Sequence, residues 1–192
     1  RGLGDVYKRQ DTYNAKDLKL NLVIAQLMAQ WGIIDPSPEH IASATDGYMT
    51  AIQSHVVPLE GARDTLHALR NRGLRIGLIS NTLWPGDVHR TDLDRYELTP
   101  FLEHLIFSAD AEAWKPHSAI FQLGLDALDL QPSQTAYIGD SLYFDVWGAQ
   151  QAGLRGVWIE QSHAWMPDGL NVTPDATLKT LPDLLTIVND WS

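Results

Sequence analysis

Tyr137-Ile138-Gly139-Asp140-Ser141-Leu142-Tyr143-Phe144-Asp145 is the stretch whose reading decides the fold. The short apolar run Ala136 to Ile138 reads as a buried strand that stops at a glycine followed at once by a carboxylate. From Tyr143 to Ala152 the pattern is helical, Gly153 closes it, and Gly156 to Ile159 is again a short apolar strand. Continuous apolar strands joined by a helix belong to a parallel sheet covered on both faces.

The same alternation extends upstream and downstream. Gly61 to Arg72 predicts a helix ended by Gly73, Arg75 to Ile79 a strand, Leu105 to Ser108 a strand, Pro116 to Leu128 a helix, and Leu181 to Asn189 a last helix. The fold class is therefore α/β, a doubly wound parallel sheet, and ligands in that class bind at the carboxyl ends of the strands. Before Pro58 the pattern is purely helical. Leu20, Ile24, Leu27 and Trp31 recur at helical spacing in Ala15 to Trp31, ahead of Gly32. A second helix starts at the N-cap Ser37 with Pro38 behind it, and lines up Ile41, Ala44, Tyr48 and Ile52. The opening Arg1-Gly2-Leu3-Gly4-Asp5-Val6-Tyr7-Lys8-Arg9-Gln10 has no usable periodicity and reads as a non-native leader. The expected division is a leader over 1–10, a helical cap remnant over 11–57 and an α/β core over 58–192.

Composition narrows the chemistry. The 192 residues contain no cysteine, so disulfides, thiolate catalysis and cysteine zinc sites are excluded, and a metal would sit on oxygen or imidazole. A formal charge of −10 disfavours nucleic acid as a partner, since that affinity rests on Lys and Arg neutralising phosphates. No apolar run approaches the ~20 residues a membrane helix needs, so no membrane partner is expected and the chain reads as cytoplasmic. A phosphate site in so acidic a chain needs local positive charge from a metal, a lysine or oriented amides.

The predicted strand ends carry such groups. Ser80-Asn81-Thr82 ends the first strand, and its hydroxyl and backbone N–H groups suit phosphoryl oxygens, although the same residues also favour an ordinary turn. Lys115 precedes Pro116 at the start of a helix and can project toward the same edge, or stand as a solvated loop lysine. Asp140 and Asp145 lie about one helical turn apart at a strand-to-helix junction, a hard-oxygen pair suited to Mg²⁺, or else caps that favour the helix dipole.

Taken together, Ile76 to Thr82, Trp114 to His117 and Tyr137 to Asp145 resemble the second, third and fourth motifs of the haloacid dehalogenase superfamily, in order and in spacing. The resemblance implies a Rossmann-like core with a helical cap, and an aspartyl-phosphate mechanism. It assigns phosphate binding to Ser80, Asn81 and Lys115, catalysis to Ser80 and Lys115, Mg²⁺ to Asp140 and Asp145, and a metal-bound water to Ser141. The implied partner is a small phosphorylated metabolite.

The superfamily's first motif, an apolar strand ending in Asp-x-Asp, has no counterpart. Asp92-Leu93-Asp94 follows the polar His89-Arg90-Thr91 and has no apolar strand before it. The nucleophile, its acid/base partner, a metal ligand, the central first strand and part of the cap are accordingly expected to be missing, and this chain is expected to be inactive. The favoured function is a Mg²⁺-dependent phosphatase-type hydrolase. The alternatives are a metal-independent 2-haloacid dehalogenase and a non-catalytic binding or regulatory domain.

Overall fold

The structure, a computed structural model, describes residues 20–162 and 164–191, with the side chain of 190 left out. The expected leader and the first turn of the first helix, from Ala15, lie outside the described residues. Two helices come first, α1 (Leu20–Gln30) and α2 (Pro38–Gln53), in the stretch expected to be a cap, and then α3 (Ala62–Asn71). The core continues as β1 (Gly77–Ser80), α4 (Gly86–Arg95), β2 (His104–Phe107), the short α5 (Ser108–Ala111) and α6 (Ser118–Leu128). It closes with β3 (Ala136–Gly139), a π-helical turn over Leu142–Trp147 running into α7 (Gly148–Gln151), β4 (Arg155–Ile159), β5 (Ala176–Leu178) and α8 (Leu184–Ile187). No described helix is long and apolar enough to cross a membrane.

All strand pairs are parallel: β1 with β2, β3 with β4, and β4 with β5. Side-chain alternation then builds two cores. On one face Val157, Ile159, Leu178, Leu69 and Leu184 pack with Ile76 and Ile138. On the other, Ile120, Phe121, Leu125, Ala149 and Leu154 pack with Ile79, Ile106 and Tyr137. Ile120, Phe121, Val146 and Val157 are wholly buried, each contributing about 1.5–3 kcal/mol of apolar transfer. The doubly wound α/β expectation therefore holds, with helices on both faces.

The strands fall into two hydrogen-bonded groups, β1-β2 and β3-β4-β5. Paired strands lie about 4.8 Å apart and exchange backbone bonds. Between β1 and β3 a side chain does the spanning instead: the Tyr137 hydroxyl donates to the Ile79 carbonyl at 2.7 Å. Among the described residues no strand is hydrogen-bonded between them.

Most expected elements appear within two residues of their predicted bounds. The exceptions have physical reasons. β5 has only three residues and no apolar run to announce it. The helix expected from Tyr143 is π-helical at its start, where the Val146 N–H donates to Ser141 five residues back. The last helix is α-helical only over Leu184–Ile187, with tighter 3₁₀ turns before and after. In the cap, Ser37 accepts from the His40 N–H as an N-cap should, but Tyr48 and Ile52 remain 46% and 40% exposed. Only part of the second helix's apolar stripe packs on its neighbour: Ile41 and Ala44 join Leu20, Ile24 and Trp84.

Candidate active site

Ser80, Asn81, Lys115, Ser141, Asp140 and Asp145 line one cavity of about 850 Å³ at the carboxyl ends of β1 and β3. The topology explains the convergence. Parallel strands with helical crossovers send every strand-to-helix loop to the same edge. All the expected site residues therefore meet there.

At the centre, the Lys115 Nζ donates to Asp145 Oδ1 at 2.6 Å and to the Tyr137 hydroxyl at 2.9 Å. The lysine side chain is 11% exposed and the aspartate 4%, so the pair sits in a setting where charge is costly unless matched. Burial alone would lower the lysine, but Tyr137 and Asp145 overrule it and hold Lys115 above its ordinary range. Burial likewise pushes the Tyr137 phenol up to about 12, against the pull of the Lys115 ammonium. At neutral pH the phenol is protonated, and Asp145 is the lysine's counter-ion.

Asp145 owes its position to the widened turn. Its Oδ2 accepts the Ser141 N–H at 2.9 Å, its own N–H donates to the Ser141 carbonyl at 3.1 Å, and the Ser141 hydroxyl caps the turn by accepting from Phe144. The carboxylate lies directly over Gly139. A Cβ there would meet Asp145 Cγ at 2.3 Å, so the glycine is a packing requirement. Gly139→Ala is expected to displace the carboxylate, break its bond to Lys115 and lower stability by about 1–3 kcal/mol in urea unfolding. Gly47→Ala, with open space around it in α2, is the control and should gain up to about 1 kcal/mol.

Asp140 opens to the cavity. Desolvation by the cavity walls and then the nearby Asp145 carboxylate raise it above its ordinary value of 3.8. That pair fits Mg²⁺, which takes oxygen donors, needs only one or two protein carboxylates and keeps water and phosphate oxygens for the rest. Among the described residues no third His, Cys, Asp or Glu completes a metal cluster.

Asn81 lines the cavity, yet its amide is committed elsewhere: Nδ2 donates to the Lys115 carbonyl at 3.0 Å and Oδ1 accepts the Lys115 N–H at 2.9 Å. In this geometry it fixes the lysine's backbone, a more specific task than the phosphate contact expected of it. Asp92 and Asp94 lie on α4 and do not line the cavity.

Three supporting residues escaped the sequence reading. Ser108, buried behind the loop, accepts the Thr82 N–H at 2.8 Å and donates to the Thr82 carbonyl at 3.0 Å. His89 pairs through Nε2 with the Thr82 hydroxyl at 2.6 Å, and burial lowers its pKa. Tyr137 reads as an ordinary strand aromatic, and only its hydroxyl reveals the role. A polar atom on an aromatic between two apolar neighbours was the one available signal.

The sequence matches the family described as haloacid dehalogenase-like hydrolase over residues 3–159. It is similar to a glyceraldehyde 3-phosphate phosphatase of Pyrococcus furiosus, 27% identical over 81% of this chain and 64% of the relative. It is also similar to haloacetate dehalogenase H-2 of a Moraxella species, 30% identical over 68% of this chain and 57% of the relative. The chain thus spans about three fifths of the length of these curated relatives. Among solved structures, a 2-haloacid dehalogenase from Pseudomonas syringae superposes with a TM-score of 0.73 at 22% identity, covering 97% of this chain and 78% of that one. The family match spans most of this chain, whose strand ends gather serine, lysine and paired aspartates in one cavity, and the chain belongs to the haloacid dehalogenase-like hydrolase family.

Proposed function

We propose that the site serves Mg²⁺-dependent hydrolysis of a small phosphate ester. The observation that supports this most is the grouping of Ser80, Lys115, Asp140 and Asp145 around one cavity. The Ser80 hydroxyl is set to donate to a phosphoryl oxygen, and the Lys115 ammonium, held charged by Asp145, to neutralise another. When bound by Asp140 and Asp145, Mg²⁺ supplies further positive charge against the phosphoryl oxygens. Lys115 matches the charge of Asp145 but leaves Asp140 beside it without a cation of its own, which favours a metal-dependent reading over a metal-free dehalogenase.

Among the described residues the carboxylates lining the cavity are Asp140 and Asp145, both assigned to the metal and the second also held by Lys115. Neither is free to attack phosphorus. The 192-residue chain is therefore expected to leave an aryl phosphate intact. Joined upstream to an apolar strand that ends in Asp-x-Asp and fits beside β1 and β3, it is expected to release phosphate only when Mg²⁺ is present. Halide release from a haloacetate without metal, in the same extended protein, would favour the dehalogenase reading instead.

A further inference from the structure

The cavity that holds Ser80 and Lys115 is also lined by the rings of Tyr48, Trp84, Trp114, Phe144 and Trp165. These rings are held by one another and by neighbouring rings. Trp84 lies parallel to His89 at 5.5 Å, His89 is stacked in turn on Phe107 at 5.2 Å, and Tyr48 meets Trp84 edge-on at 6.2 Å. Across the π-helical turn, Phe144 stacks on Trp165 at 6.1 Å, and Tyr143 meets Trp165 edge-on at 5.5 Å. One wall belongs to the cap and the β1 loop, the other to the β3 and β4 loops.

We propose that these rings bind the leaving group of the substrate, and that the leaving group is a planar aromatic ring. This rests on the phosphoryl reading of Ser80 and Lys115. Several observations favour a ring over an open hydroxylated chain. Tyr48 keeps 46% of its surface exposed and Ile52 40%, while Ile41, Ala44 and Met49 of the same helix pack on α1 and Trp84. Hydroxyls on a short aliphatic chain would lose their water wherever they met the aromatic faces, with Thr82, His89, Gln161 and Ser162 as the polar side chains of the lining outside the phosphoryl and metal residues. A flat ring loses little and gains stacked or edge-on contacts with rings that are already held in place.

Trp114, which precedes Lys115 and is 8% exposed, adds a fifth ring to the same lining. The volume of about 850 Å³ has room for phosphoryl group and ring together.

The test is calorimetry on the 192-residue chain with Mg²⁺, using 1-naphthyl phosphate, glycerol 3-phosphate and inorganic phosphate. The expected result is that the naphthyl ester binds at least about tenfold more tightly than the glycerol ester. Trp165→Ala and Tyr48→Ala should each remove most of that advantage, Tyr48→Phe should keep it, and none should change the affinity for inorganic phosphate. Tyr48 and Trp165 lie outside the two sheet cores, and a thermal melt of each variant verifies that it is folded. Equal affinity for the two esters would overturn the aromatic leaving group and leave the phosphoryl site standing. Failure of all three phosphates to bind would overturn the phosphoryl site and this proposal with it.

Discussion

Lys115→Ala is expected to cost about 3–5 kcal/mol of stability and, in the strand-extended protein, at least about 100-fold in turnover. The stability loss follows from what stays behind. Asp145 is 4% exposed as a side chain and would keep the Ser141 N–H but lose its cation. Removing one member of a buried pair costs far more than removing both. The double change Lys115→Met with Asp145→Asn should therefore recover part of the stability and none of the activity. Urea unfolding measures the first effect and phosphate release the second. A surface change such as Lys179→Ala should leave both near normal. Near-normal turnover in Lys115→Ala would remove the lysine from the mechanism.

Asp140→Asn is expected to act in opposite directions on function and stability. Turnover should fall by at least about 100-fold, because a metal ligand has gone. Stability without metal should rise at neutral pH. Asp140 is raised above its ordinary 3.8 by desolvation and by Asp145, so the folded protein holds its proton to higher pH than the unfolded chain does. Folding is thus favoured by this group in acid and loses that contribution as pH rises through the raised value. At neutral pH its charge is a net burden that asparagine lacks. Melts in a chelator should show the variant above wild type at pH 7 and level with it below pH 3.8, and added Mg²⁺ should narrow the gap. A variant that melts lower than wild type at pH 7 in chelator would contradict the electrostatic reading.

The site was legible in the sequence where chemistry coincides with a strand end. Ser80, Lys115 and Asp140 each follow an apolar run or precede a helix start, and the doubly wound topology needs no side-chain detail to bring such positions to one edge. Asp145 was legible through its spacing from Asp140, but not the π-helical turn that carries it, since a turn with one extra residue has no distinct apolar period. The supporting shell was hidden for a different reason. Tyr137, Ser108 and His89 matter through hydrogen bonds to Ile79, Thr82 and Lys115, partners separated from Tyr137 and Ser108 by a strand or more of sequence. Nothing local encodes such pairings.

The cap taught the converse lesson. Helical spacing located both helices, yet Tyr48 and Ile52 share the apolar stripe with Ile41 and face the cavity instead of a core. Periodicity reports that a face is apolar, and only the fold reports what covers it. The Tyr137 hydroxyl that links β3 to β1 was not anticipated either.

The central claim is that phosphate and Mg²⁺ share one site built by Ser80, Lys115, Asp140 and Asp145. Two sites that strengthen each other do so reciprocally, typically by 5–150-fold in affinity. The direct measurement is a calorimetric titration of inorganic phosphate into the 192-residue chain, with and without saturating Mg²⁺. The account predicts at least about fivefold tighter phosphate binding with the metal, lost in Asp140→Asn, and only weak binding of Mg²⁺ when phosphate is absent. Phosphate affinity indifferent to Mg²⁺, or tight Mg²⁺ binding that survives Asp140→Asn, would contradict it.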